Sequence, residues 1–179
     1  MFDTYNINNG VAQLAPDSAI ASQNIGGITD SIEQQRQNID ESSVRKLMRY
    51  LNVDMMESYF RIGPSRVKGQ VFDIYNAWNN IINSSAFCIY DTELRNAIIA
   101  FFFAWDEIIR KGIPYYSPSH IAGDFVFGHA EFDMFDSPEQ EQCFDEIMKK
   151  WYGTAIKFGE MMNLIKQRYA IEREDIGMR

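Results

Sequence analysis

Two histidines in 179 residues, His120 and His129, leave this chain little to build general acid–base or metal chemistry from. Cysteine is equally scarce. Cys88 and Cys143 are the only two, too few for a disulfide scaffold and without the paired spacing of a zinc site. Both adjoin apolar runs and are expected as buried thiols. No basic residue precedes Arg36, so no positively charged leader is visible and the chain reads as cytoplasmic. The uncharged run from Asn96 to Trp105 is far short of the ~20 residues that span a bilayer, which argues against a membrane helix. Positive charge is in deficit, with a formal net charge of −8, which disfavours attraction to nucleic-acid phosphates or anionic lipid. The phosphate-binding pattern G-x-x-x-x-G-K-[ST], the dinucleotide pattern G-x-G-x-x-G and the hydrolase elbow G-x-S-x-G are all missing, so no cofactor is implied. Glu does not stand three residues before either histidine, as di-iron bundles require, and no arginine stands four to six residues before one, as in small helical ribonucleases.

What is present is apolar and periodic. Hydrophobic residues make up 46% and aromatics 14%, enough for one compact core. Leu94, Ile98, Phe101, Trp105 and Ile108 step by four, three, four and three, the spacing of one helical face. Ala97, Ile99, Phe102, Phe103 and Ile109 fill much of the remaining circumference, so this helix must be covered on more than one side. Asp91 and Glu93 suit its N-terminus, and Arg110 and Lys111 its C-terminus. Gly112 is expected as a left-handed cap and Pro114 as a stop.

Helical spacing recurs in Val44, Leu47, Met48, Leu51, Met55 and Tyr59, with Asn52-Val53-Asp54 a potential kink and Gly63-Pro64 a firm end. Val67, Val71, Ile74, Trp78 and Ile81 give another face after Ser65, with Gly69 as a blemish inside it. Ser137-Pro138-Glu139-Gln140 is a full helix start, and the run from Phe144 to Tyr169 fits a heptad. The expected fold is therefore all-α: a bundle of four principal helices near 42–62, 65–83, 91–111 and 138–170. Residues 1–36 are a low-charge N-terminal appendage, irregular or short-stranded, and residues 37–179 the bundle domain.

The irregular stretch is Ile113 to Asp136, with two prolines, two glycines and six aromatic rings. It reads either as short strands around Asp124–Gly128 or as a loop pinned by its rings; long ordered loops often carry function. Tyr115, Tyr116, Phe125 and Phe127 are its candidate contact residues, joined by the adaptable pair Met161 and Met162. His120, Asp124, His129 and Glu131 are the only candidates for catalysis, as a metal-dependent hydrolase or nuclease using the loop from His120 to Asp133; their spacing matches no zinc site, and no metal is assigned. A further alternative, an acidic inhibitor mimicking nucleic acid, requires acids arrayed on one face. Arg61, Arg66 and Lys68 around a helix start near Ser65 are compatible with phosphate, or with ordinary surface ion pairs.

Near the N-terminus, GVAQLA and AIASQNI are half-alternating segments joined by Pro16-Asp17-Ser18. Within residues 6–25, NNGVAQLAPDSAIASQNI resembles a short Asn/Gly/Ala/Ser strand segment of bacterial proteins of unknown function, often in predicted phage-defence and other conflict systems. The resemblance implies small β-solenoid-like rungs and a part in self-association or sensing. The expected function is that of a non-enzymatic interaction or regulatory protein with a protein partner. Self-association is expected through the long last helix and, less directly, through residues 1–30.

Overall fold

The computed structural model describes the backbone of residues 18–128 and 135–169, and the side chains of residues 30–128 and 135–169. The chain divides into two compact units, residues 1–35 and 36–179. Of the first unit, the described part is the beginning of a single helix, α1 (Ser18–Met48), which ends in the second unit. AIASQNI is therefore helical backbone and not a strand; GVAQLA lies outside the described residues.

The second unit is mostly helical. After α1 come α2 (Val53–Ile62), α3 (Gly69–Ile82), α4 (Thr92–Gly112) and α5 (Pro138–Arg168). The expected helix 42–62 is two helices. Hydrogen bonds from Tyr50 and Leu51 to Leu47 and Met48 tighten the end of α1, and Asn52 restarts the chain by accepting from the Met55 N–H at 2.9 Å. Gly63, at φ +94, closes α2.

The helical class of the expected fold holds, and a small antiparallel sheet is added to it: β1 (Arg66–Lys68), β2 (Tyr116–Pro118) and β3 (Asp124–Phe127), in the order β1-β3-β2, with β3 falling where short strands were one of the two readings. Residues 65–68 thus do not begin a helix. Arg66, Val67 and Lys68 pair with Val126, Phe125 and Asp124, and Val67 points into the core at 1% exposure. Their N–H and C=O groups find partners across the sheet, which removes the incentive to coil. Gly69 is no blemish within a helix. Its N–H donates to the Gly123 carbonyl at 2.7 Å, and a Cβ there would sit 3.1 Å from that oxygen and 3.2 Å from the Phe125 ring. Pro118 is tolerated because β2 is an edge strand.

α4 is the rod that the other helices cover on its main face, although Phe103, expected among the covered residues, is 60% exposed. Phe101, Phe102 and Trp105 are 0%, 2% and 0% exposed. Asp91 caps it, accepting from Leu94 N–H at 3.0 Å. Gly112 is not a left-handed cap: its φ is −80, the chain runs straight into a 3₁₀ turn (Ile113–Tyr115), and a Cβ would meet the Tyr116 ring at 2.7 Å. Lys111 pairs with Glu146, Lys150 with Glu107, and Arg168 with Asp91 and Glu93, so α4 and α5 lie antiparallel. Ser137 caps α5 as its motif requires, and Gln140 reaches back to accept from the Asp136 N–H at 2.7 Å. The heptad face of α5 is used within the chain: Ile147, Trp151, Phe158 and Ile165 are all buried, and the Trp151 indole donates to the Phe60 carbonyl in α2.

Cys143 is buried as expected, whereas Cys88 is exposed. Burial pushes the Cys143 thiol above its ordinary pKa, with nearby Lys111 opposing the rise.

One blemish sits in the core. Tyr59 Oη and Trp105 Nε1 are buried with no hydrogen-bond partner among the described residues. Burial raises the Tyr59 pKa well above its usual value and Tyr116 adds to the rise; the neighbouring Trp105 indole, which does not meet hydrogen-bond geometry with the hydroxyl, opposes it. A buried hydroxyl without a bond costs about 1–3 kcal/mol of desolvation. Tyr59→Phe should therefore leave the thermal midpoint unchanged or raise it, by up to about 1 kcal/mol in stability; a clear fall in a melting experiment would show that the hydroxyl is bonded after all.

Candidate functional site

The hairpin formed by β2 and β3 folds its rings against α3. On α3, Phe72, Tyr75 and Asn76 share one side by their spacing of three and four. Ile113 approaches from the 3₁₀ turn, Tyr116 from β2 and Phe125 from β3, and these six line an open groove of about 210 Å³. Phe72 stands edge-on to Tyr116 (5.6 Å between centroids, 69°) and to Phe125 (5.4 Å, 90°), so the rings form slots and not a flat floor. Ile113 and Asn76 are exposed at the rim, and Phe72, Tyr116 and Phe125 are half-buried. That volume holds one or two side chains and is smaller than the ~300–1,000 Å³ of a small-molecule pocket.

The groove walls are fixed by polar ties. The Tyr116 hydroxyl donates to the Pro64 carbonyl at 2.7 Å, stapling the hairpin to the turn after α2. Burial raises its pKa, so it stays protonated as a donor. The Tyr75 hydroxyl donates to Asp106 Oδ1 at 2.5 Å, and Arg110 Nε donates to the same oxygen at 2.6 Å. Burial and then the Asp106 carboxylate raise the Tyr75 pKa, while Arg110 opposes them. Asp106, at the exit of the apolar run in α4, is thus a structural bridge between Tyr75 and Arg110.

Of the contact residues expected from sequence, Tyr116 and Phe125 converge in this groove. Phe127 is fully buried against Phe144 (5.2 Å) and anchors the hairpin on α5, with Tyr115 packed on it at 5.4 Å. Met161 and Met162, at 0% and 4% exposure, are core and present no surface. Phe72, Asn76 and Ile113 escape the sequence reading. They lie beside the buried face of α3 or in the turn, and only a second, weaker stripe at 72, 75 and 76 marks two of them.

The catalytic candidates fare differently. His120 is exposed in the hairpin loop. Asp124 opens β3 and shares a small crevice with Ser58, Tyr59, Arg66 and Lys68. His129, Glu131 and Asp133 lie outside the described residues. Among the described residues no three His, Cys, Asp or Glu side chains are grouped to hold a metal ion. Since α3 begins at Gly69, Arg66 and Lys68 lie on a strand and do not flank a helix N-terminus near Ser65.

No protein-family model, curated protein or solved structure matches the chain. Among the described residues no helix is long and apolar enough to cross a membrane.

Proposed function

We propose that this protein is a non-enzymatic interaction protein that self-associates and engages another protein through the aromatic groove. The observation that carries the reading is the groove itself: four rings from three elements are held by bonded side chains and yet remain open at Asn76 and Ile113. Rigid aromatic slots rimmed by Asn76 and Ile113 favour an apolar side chain of a partner, whose burial gives the affinity while the rim excludes water. The biological setting of an accessory component in a bacterial defence or other conflict system is part of the proposal and rests on the resemblance within residues 6–25.

A photoreactive amino acid placed at Asn76 tests the groove in the native cell, with Lys157, exposed on α5, as the remote control. A covalent partner captured from position 76 and not from 157 is expected. Ile113→Asp, at a residue 50% exposed, should lower that capture at least tenfold without altering the fold. Equal capture from both positions, or capture indifferent to Ile113→Asp, overturns the reading.

A further inference from the structure

α5 has a second apolar face. The side that carries Ile147, Trp151, Phe158 and Ile165 is buried in the fold. On its outer side Met148, Tyr152 and Ile156 follow one another a turn apart, at 46%, 75% and 45% exposure. At ~100° per residue, Met148 and Ile156 lie within about 40° of the Tyr152 direction, so the three form one row. Ala155 and Gly159, both half-buried, lie on the same face.

Gly159 has no explanation within the chain. A glycine inside a helix loses backbone entropy on folding. Gly69 and Gly112 offset that cost by letting Phe125 and Tyr116 approach. Gly159 does not adopt a positive φ, and a Cβ there would meet nothing within 4 Å among the described residues. What its missing side chain does is leave a shallow in the outer face, a turn beyond Ile156. We infer that the outer face of α5, centred on Tyr152, pairs antiparallel with the same face of a second copy of this chain. The inference rests on the self-association part of the proposed function and assigns it to α5.

Charge selects both the occupant and its direction. The chain carries −8, yet α5 holds five acids and five bases, so two copies of this helix meet without net repulsion. Those charges are sorted along it. Four of the acids precede Met148 and all five bases follow it. A parallel copy would set like charge against like over the whole length. An antiparallel copy related by a two-fold axis at Tyr152 sets Met148 opposite the partner's Ile156. Side chains lean toward the N-terminus of their own helix, so each Tyr152 ring leans over the partner's Ala155 and Ile156 toward the shallow at Gly159. Lys149 and Glu160, both exposed, share one flank of the row. The same register brings each Lys149 to the partner's Glu160, and each Glu141 to the partner's Lys166, twice over by symmetry.

The stretch from Glu141 to Lys166 is roughly 38 Å long at 1.5 Å per residue. Three large apolar side chains per copy are a small core for an interface of that length, so association should be concentration-dependent. Sedimentation velocity on the full chain across about 1–200 µM should show a shift from 20.8 kDa toward twice that mass. Tyr152→Asp should hold the protein monomeric throughout, with its melting midpoint at 1 µM unchanged. Lys149→Glu and Glu160→Lys should each weaken the dimer about tenfold, and the two together should restore it to within about threefold of wild type. A wild-type monomer at the top concentration, a dimer indifferent to Tyr152→Asp, or a double reversal no stronger than the single ones overturns the inference. Lys157 points about 140° away from Tyr152 and stays outside the seam. Ile113→Asp should leave the dimer intact, and Tyr152→Asp should leave capture at Asn76 intact, so failure at the groove and failure at the seam are told apart.

Discussion

Phe101→Ala should destabilise the protein by about 3–5 kcal/mol, the range for removing a large aromatic from a closed core. For a chain of this size that corresponds to a fall of roughly 6–20 °C in melting midpoint. The effect should be near the top of that range because the Phe101 ring is shared. Between ring centroids, it stacks on Trp105 at 5.5 Å, stands edge-on to Trp78 at 5.8 Å and to Phe60 at 6.3 Å, and lies tilted to Phe158 at 5.3 Å. Four helices lose a wall at once, and none can shift inward without leaving another neighbour. Phe101→Leu keeps most of the volume and should cost less than half as much. Chemical denaturation of the two variants measures both values, and equal small losses would show that α4 is not the hub.

Asp40→Ala should cost about 2–4 kcal/mol, a large loss for a residue set among Gln, Asn and Glu. The carboxylate is 3% exposed, and its two oxygens accept from the Tyr90 N–H at 2.6 Å and the Asp91 N–H at 2.8 Å. These donors lie just ahead of α4, so Asp40 clamps α1 to the start of the central helix. Ser43, one turn on, adds a bond from its hydroxyl to the Cys88 carbonyl at 2.7 Å. Hydrogen bonds to a charged acceptor are worth about 1.5–3 kcal/mol each, less where water can reach the freed donors. Asp40→Asn preserves one acceptor and should recover roughly half of the loss. A stability for Asp40→Ala within 0.5 kcal/mol of wild type, the usual range for surface changes, would show that the clamp contributes nothing.

These two residues also mark where sequence reasoning succeeds and where it stops. Phe101 was legible because Leu94, Ile98, Trp105 and Ile108 share its period, whereas Phe103, on the further circumference expected to be covered, faces solvent. The start of α5 was legible because capping is local: Ser137 and Gln140 lie three apart. Asp40 was not legible, since its partners lie 50 and 51 residues away and a lone acid in a polar run carries no mark of burial. The sheet was legible only at β3, where short strands around Asp124–Gly128 were one of two readings, and its partner β1 was hidden for the same reason. Arg66–Lys68 is three residues long and becomes a strand only because residues 124–126 pair with it. Gly69 and Gly112 were misread as a helix defect and a cap, because close approach by Gly123, Phe125 or Tyr116 is a property of the assembled fold. For the groove, the hairpin rings Tyr116 and Phe125 stood out by composition, but their wall on α3 became visible only in three dimensions.

The tie from Tyr116 to Pro64 has a kinetic corollary. Slots whose walls are set before any visitor arrives impose no folding step on the encounter, so occupancy should rise in a single exponential phase. The free and filled shapes of this face should superimpose closely, and discrimination among visitors would then reside in their contours and in how slowly they leave.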